Sequence, residues 1–191
     1  MMIGRKNFSE ADVVGEKVRL RPILTRDASI AYGLLQNERV TQTILWDGPS
    51  SLNELTYSFR HRREWWSNGE PTYTFAIEAM FDEGIIGSVE IRTNVNPQEL
   101  KIGYWLGVPY WGQGFGTDAV RLATNFAFHY LEAIRVSATV FIGNEASIRV
   151  LEKNGFEFGG ISKSQVFKRG HWLDEWLYIL ARDKWQSCQH Y

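Results

Sequence analysis

The stretch that decides the fold runs Ile102-Gly103-Tyr104-Trp105-Leu106-Gly107-Val108-Pro109-Tyr110-Trp111-Gly112-Gln113-Gly114-Phe115-Gly116-Thr117-Asp118-Ala119. Its first part belongs to a strand signal from Leu100 to Val108. After Pro109 the period changes, because Ala119, Leu122, Ala123, Phe126, Ala127 and Tyr130 mark one face of a long helix. A strand therefore feeds a helix through Trp111 to Thr117. Glycines in such a turn allow positive φ and close approach of a ligand, and the first unpaired N–H groups of the helix attract an anion such as a pyrophosphate. The plainer alternative is a glycine-rich turn that only starts a helix. The segment lacks G-x-x-x-x-G-K-[ST], and its G-x-G-x-G spacing does not complete G-x-G-x-x-G, so neither ATP nor NAD is the expected ligand.

Upstream, Val18, Leu20 and Pro22 alternate with Lys17, Arg19 and Arg21, which predicts a first strand, and Thr25 with Arg26 and Asp27 predicts a helix start. Asp47-Gly48-Pro49-Ser50-Ser51 reads as a turn. Leu52, Leu55, Phe59 and Trp66 then predict a helix over about 52–67. Three strands, Tyr73 to Ala79, Ile85 to Arg92 and Leu100 to Val108, form an expected antiparallel meander. Downstream come a β-branched strand from Arg135 to Ile142, a short helix from Glu145 to Asn154 closed by Gly155, and two late strands at about 157–168 and 172–181. The expected class is α/β, a mixed and mostly antiparallel sheet flanked by helices.

The 191 residues, 44% hydrophobic and 23% charged, match one globular domain. No linker or repeat divides them, so an arm at 1–14, a single domain at 15–185 and a tail at 186–191 are expected. With 21 Lys and Arg against 22 Asp and Glu the net charge is −1, which provides no general field for nucleic acid or an anionic membrane. The single cysteine, Cys188, allows neither an internal disulfide nor a cysteine-rich zinc site, and the four histidines have no metal-ligand spacing. No apolar run approaches the roughly 18–20 residues of a membrane helix. A cytoplasmic chain without a metal is expected.

Several spaced segments together resemble the GNAT superfamily of acetyl-CoA-dependent N-acetyltransferases, in its RimJ/RimL-type branch. They are Ile102-Gly103-Tyr104-Trp105-Leu106, Gly114-Phe115-Gly116-Thr117 with Ala119, Asn144-Glu145-Ala146-Ser147, Glu152-Lys153-Asn154-Gly155-Phe156, and Gly170-His171-Trp172-Leu173-Asp174. The resemblance covers about Glu16 to Trp185. It implies a GNAT-like fold with acetyl-CoA as co-substrate and a primary amine as acceptor. It further implies that Leu106, Gly107 and Val108 form a splayed strand end pairing with the pantetheine arm, and that the amides of Gln113, Gly114, Phe115, Gly116 and Thr117 hold the pyrophosphate. Trp111 stands where many members carry Gln or Arg.

By the same resemblance Asn144 orients the cofactor arm and Ser147 protonates or hydrogen-bonds the departing thiolate, although Asn at a helix start is also a plain cap. Many members place a tyrosine in this helix where the chain has Leu151. An alkylamine is almost wholly protonated at pH 7, so a base is needed. The branch often places Glu before Ile-Gly-Tyr, where this chain has Lys101. Glu99, on the same strand face by alternation, and Glu90, on the preceding strand, are the candidate bases, with a solvent-facing charge as the alternative for each. Tyr104 is read as core or substrate wall. The Arg60-His61-Arg62-Arg63 run is read as a solvated helix flank. Trp46, Trp65 and Trp66 are read as anchors of an acceptor pocket, as plain packing, or as a homodimer interface. The acceptor implied is a protein N-terminal α-amine, with a polyamine, amino acid or aminoglycoside as the alternative. A GNAT-like sensor that binds acyl-CoA without turnover is the third reading.

Overall fold

A computed structural model describes residues 13–68, 72–93 and 96–188. Most of the expected arm, the last three residues and the turn at Asn94 and Val95 lie outside the described residues. The strands are β1 (Val13–Val14), β2 (Val18–Pro22), β3 (Thr72–Ala79), β4 (Ile85–Thr93), β5 (Glu99–Leu106), β6 (Arg135–Phe141), β7 (Glu157–Lys168) and β8 (His171–Ala181). The helices are α1 (Ala28–Leu35), α2 (Glu38–Thr41), α3 (Leu52–Asn68), α4 (Phe115–His129), α5 (Glu145–Lys153) and α6 (Arg182–Cys188). Among the described residues one eight-stranded sheet has the order β1-β2-β3-β4-β5-β6-β8-β7. Every pairing is antiparallel except β5 with β6.

That exception shapes the molecule. β5 and β6 pair only through Glu99, Leu100 and Lys101 opposite Arg135, Val136 and Ser137. Beyond that register β5 stays with β4 as far as Gly87 opposite Leu106, while β6 stays with β8 as far as Phe141 opposite Glu175. The two strands diverge, and the backbone groups facing across the gap have no ladder partner. An unpaired parallel edge in mid-sheet must be satisfied by something else.

Each face of the sheet buries a core. α4 lies on one face, where Phe126 packs edge-on against Phe75 with ring centroids 5.1 Å apart, above Val89, Ile91, Leu100 and Ile102. α1 and α3 cover the other face through Ala31, Leu35, Leu55 and Phe59 against Ala76 and Ile85. Asp118 ties α4 to the first strand, accepting from the backbone N–H of Lys17 at 2.8 Å and of Val18 at 3.1 Å.

Several local expectations are corrected. The third meander strand ends at Leu106 rather than Val108, because Pro109 fixes its own φ and lacks an amide, and Val108–Tyr110 closes into a 3₁₀ turn. The helix start at Thr25 is a 3₁₀ turn, Thr25–Asp27, in which Asp27 accepts from the Leu24 N–H at 2.8 Å before α1 begins. The short α2 was unanticipated, although its Asn37 cap, accepting from the Arg39 N–H, is an ordinary start signal. Val13 and Val14, assigned to the arm, instead pair with Leu20 and Arg19 at the sheet edge. The turn joining β7 to β8 has positive φ at both Arg169 and Gly170, as a tight hairpin requires.

Candidate active site

The glycine turn opens α4 at the mouth of the gap. Gly112 and Gly114 have φ of 74° and 87°, and Gly114 is the N-cap of α4. A side chain at either position would be strained, and a Cβ on Gly114 would lie 3.1 Å from the Lys17 ammonium. Among the described residues no backbone carbonyl claims the N–H groups of Gln113 to Thr117. Free amides at the positive end of a helix dipole are the arrangement that suits an anion. Lys17, which sequence reading missed, donates to the Gln113 carbonyl at 2.8 Å and so adds a cation beside it. The Gln113 side chain points away and donates to the Pro109 carbonyl at 2.8 Å. We expect Gly114→Val to weaken acetyl-CoA binding by about tenfold or more, from backbone strain on the order of 1–3 kcal/mol. Calorimetric titration checks this, and equal binding by both proteins would contradict anion binding there.

Of the three residues expected to form the splayed end, the structure separates the roles. Gly107 donates its N–H to the Ile86 carbonyl at 2.9 Å, so that group is spent on β4. By alternation the N–H and C=O of Tyr104 and Leu106 point toward the gap. The Leu106 carbonyl already accepts from the Trp111 indole at 2.8 Å, which gives Trp111 a structural task at the place of its departure from the family pattern. Val108 lies in the 3₁₀ turn, off the strand.

The gap opens into a cavity of about 470 Å³ between the divergent strands and α3. Asn144 and Ser147 meet it at the start of α5, where Asn144 caps the helix by accepting from the Ser147 N–H at 3.2 Å and both residues line the cavity. Tyr104 reaches the same place from β5. Its ring packs on the core, and burial pushes its phenol up to about 12, with the neighbouring Ser147 hydroxyl pulling the other way. The phenol oxygen lies against Ser147 yet makes no hydrogen bond of ordinary geometry. Leu151 is fully buried in the cavity wall.

The two candidate bases part company. Glu99 does not line the cavity, because Arg135 of the adjacent parallel strand holds its carboxylate at 2.6 Å. Glu90 does line it, bound by Arg62 and, at 2.9 Å, by Arg92. Arg62 thereby leaves the solvated flank to which the basic run was assigned. Trp46 lines the cavity, Trp65 is exposed elsewhere, and the side chain of Trp66 lies outside the described residues.

Sequence reading missed Glu175. It sits on β8 opposite Phe141, is only 6% exposed, lines the cavity, and has no hydrogen bond or ion pair among the described residues. A buried carboxylate without a partner costs several kcal/mol and concentrates where chemistry needs it. The signal was present: Leu173, Glu175, Leu177 and Ile179 alternate on one face, and Glu175 breaks an apolar file.

The observations of fold and gap agree with the comparisons. Residues 17–157 match the model of the acetyltransferase (GNAT) domain. The chain is 40% identical over 114 residues to "Probable N-acetyltransferase YjcK" of Bacillus subtilis, covering 58% of this chain and 63% of YjcK. It is 26% identical over 109 residues to the L-amino acid N-acetyltransferase AaaT of Escherichia coli, covering 56% of this chain and 66% of AaaT. The chain thus spans just under two thirds of the length of both relatives. In fold it is similar to Mycobacterium smegmatis RimJ in complex with CoA-disulfide, with a TM-score of 0.82, 22% identity, and 93% of this chain and 90% of that one covered. A strand pair that splays beside a glycine-opened helix, and a family match spanning that whole unit, lead to one statement: the chain belongs to the GNAT family of acetyltransferases.

Proposed function

We propose that the chain transfers an acetyl group from acetyl-CoA to the α-amine of a peptide by direct attack in a ternary complex, in the cytoplasm. The observation that carries this is the pairing, in one cavity at the strand gap, of a hydroxyl on α5 with an unpartnered carboxylate on β8. Acetyl-CoA supplies the activated thioester. Its pyrophosphate fits the free amides of Gln113 to Thr117, and its arm fits the strand edge around Tyr104 and Leu106. Glu175 takes the proton that the acceptor ammonium must lose, since Glu90 and Glu99 are already bound by arginines. The departing thiolate accepts a hydrogen bond from the Ser147 hydroxyl and takes the second proton of the amine nitrogen, and Asn144 fixes the turn that carries Ser147. A backbone N–H facing the gap stabilises the developing oxyanion.

The test separates binding from turnover. Ser147→Ala is expected to lower kcat by about 10- to 100-fold, the scale of one lost hydrogen bond to a charged group, with the acetyl-CoA dissociation constant unchanged. Loss of binding in step with kcat would make Ser147 a structural residue and remove it from this scheme. Similarity to AaaT favours a second reading, a small-molecule amine acceptor in the same cavity.

A further inference from the structure

The cavity lining carries charge of both signs, three basic and three acidic residues. Where β4, β5 and α3 meet, Arg62, Arg92 and Lys101 line the cavity around Glu90, while Glu54, bound by the Ser50 N–H, lines it from the first turn of α3, about two helical turns before Arg62. Glu90 binds Arg62 and Arg92, while Lys101 has no ion pair or hydrogen bond among the described residues. That corner therefore holds three cations against one anion. Burial is the main influence that presses the Arg62 guanidinium below its ordinary pKa, and Arg92 adds to it. Across the cavity stands Glu175, also unpartnered.

The register fixes how far apart the two ends are. Lys101 is opposite Ser137, and Ser137 is opposite Ile179, four residues along β8 from Glu175. At about 3.3 Å per residue this is roughly 13 Å along the strands, and two strand spacings add about 10 Å across them, so the two Cα atoms lie roughly 16 Å apart, part of which the side chains bridge. Two unpaired charges of opposite sign in a half-buried cavity each carry a desolvation cost that a ligand of opposite polarity would offset. The ammonium and carboxylate of a free α-amino acid are too close to engage both. An extended peptide gains about 3.3 Å per residue and reaches the far end with its second or third side chain.

We infer that the acceptor is a peptide amine with an acidic group within its first three residues, its ammonium held by Glu175 and its acidic group by Lys101 at the cationic corner. This rests on the proposed acetyl transfer and names the substrate class of that site. Polyamines and aminoglycosides, which bring only cations, would meet repulsion at the corner.

The test measures kcat/KM with acetyl-CoA for matched peptides whose second or third residue is Glu, Gln or Lys, alongside free amino acids and spermidine. The expected order is Glu over Gln over Lys, with at least about tenfold between Glu and Gln, as one charge-assisted contact provides. Lys101→Met is expected to bring the Glu-to-Gln ratio close to one, and Lys101→Glu to invert it, both with acetyl-CoA binding intact. Equal rates for all three peptides, a preference for spermidine or free amino acids, or a ratio unmoved by Lys101→Met would overturn the inference while leaving acetyl transfer standing. No turnover of any acceptor by a wild-type protein that binds acetyl-CoA would overturn both.

Discussion

Glu175→Gln is expected to lower kcat by about 10²- to 10⁴-fold, the range a positioned general base contributes. The amide keeps the size and leaves β8 paired with β6 through Phe141, so folding and acetyl-CoA binding should persist. The defect should depend on the acceptor. An amine that is already neutral at the assay pH needs no proton removed before it attacks, so the loss should shrink for acceptors of low pKa and for assays run at higher pH. A merely structural role would lower all acceptors equally. Steady-state kinetics with amines of graded pKa separates the two, and a uniform loss across the series would remove Glu175 from the chemistry.

The second large effect concerns a buried ion network between β2, β3 and the turn before α1. Arg21 is buried on β2 and donates to Asp27 through both terminal nitrogens, each at 2.7 Å, and to Glu78 at 2.8 and 2.6 Å. The network joins β2, β3 and the turn that launches α1. Arg21→Met leaves two buried carboxylates short of their main partner and is expected to cost about 3–5 kcal/mol, with the thermal midpoint falling by about 10 °C. Arg21→Lys should recover only part of the loss, because a single ammonium cannot serve two carboxylates in the fork geometry of a guanidinium. Burial, the largest influence on Glu78, pushes its pKa up, but the hydrogen bonds from Arg21 and Arg19 outweigh it, and the folded value lies below the ordinary 4.5. A carboxylate depressed on folding contributes stability that is present above its unfolded value and is lost as pH falls through the folded one. The wild-type protein should therefore lose stability below about pH 4.5, and Arg21→Met should flatten that acid limb. Thermal melts from pH 7 down to 3 check it, and equally steep limbs would show that the pair does not govern acid stability.

The parts of the fold legible in the sequence are those set by local rules. Gly114 could be read because a helix that opens on positive φ needs glycine, and the Asn144 to Ser147 start because capping chemistry is local. Glu99 shows the limit. Alternation correctly groups it with Lys101, but its partner Arg135 comes from a strand 36 positions later that pairs in parallel, and no local pattern announces that meeting. Arg62 was hidden differently, since four adjacent residues on a helix share a composition but not a face, and only the packing of α3 shows which one turns inward. Glu175 was legible in principle as a carboxylate in an apolar file, yet β8 is apolar on both faces, Trp176 and Tyr178 lying opposite Leu177 and Ile179, so the inward side carried no mark.

The central claim is that the cavity at the strand gap transfers acetyl to an amine. The most direct measurement is thiol release from acetyl-CoA by the wild-type protein, against separate pools of peptides with varied N-termini, polyamines, amino acids and aminoglycosides. The expected result is release that depends on the peptide pool and a matching gain of acetyl on the peptide α-amine by mass spectrometry. Acetyl-CoA bound tightly while every pool leaves the thiol unreleased would contradict it and make the chain an acyl-CoA sensor on an acetyltransferase fold.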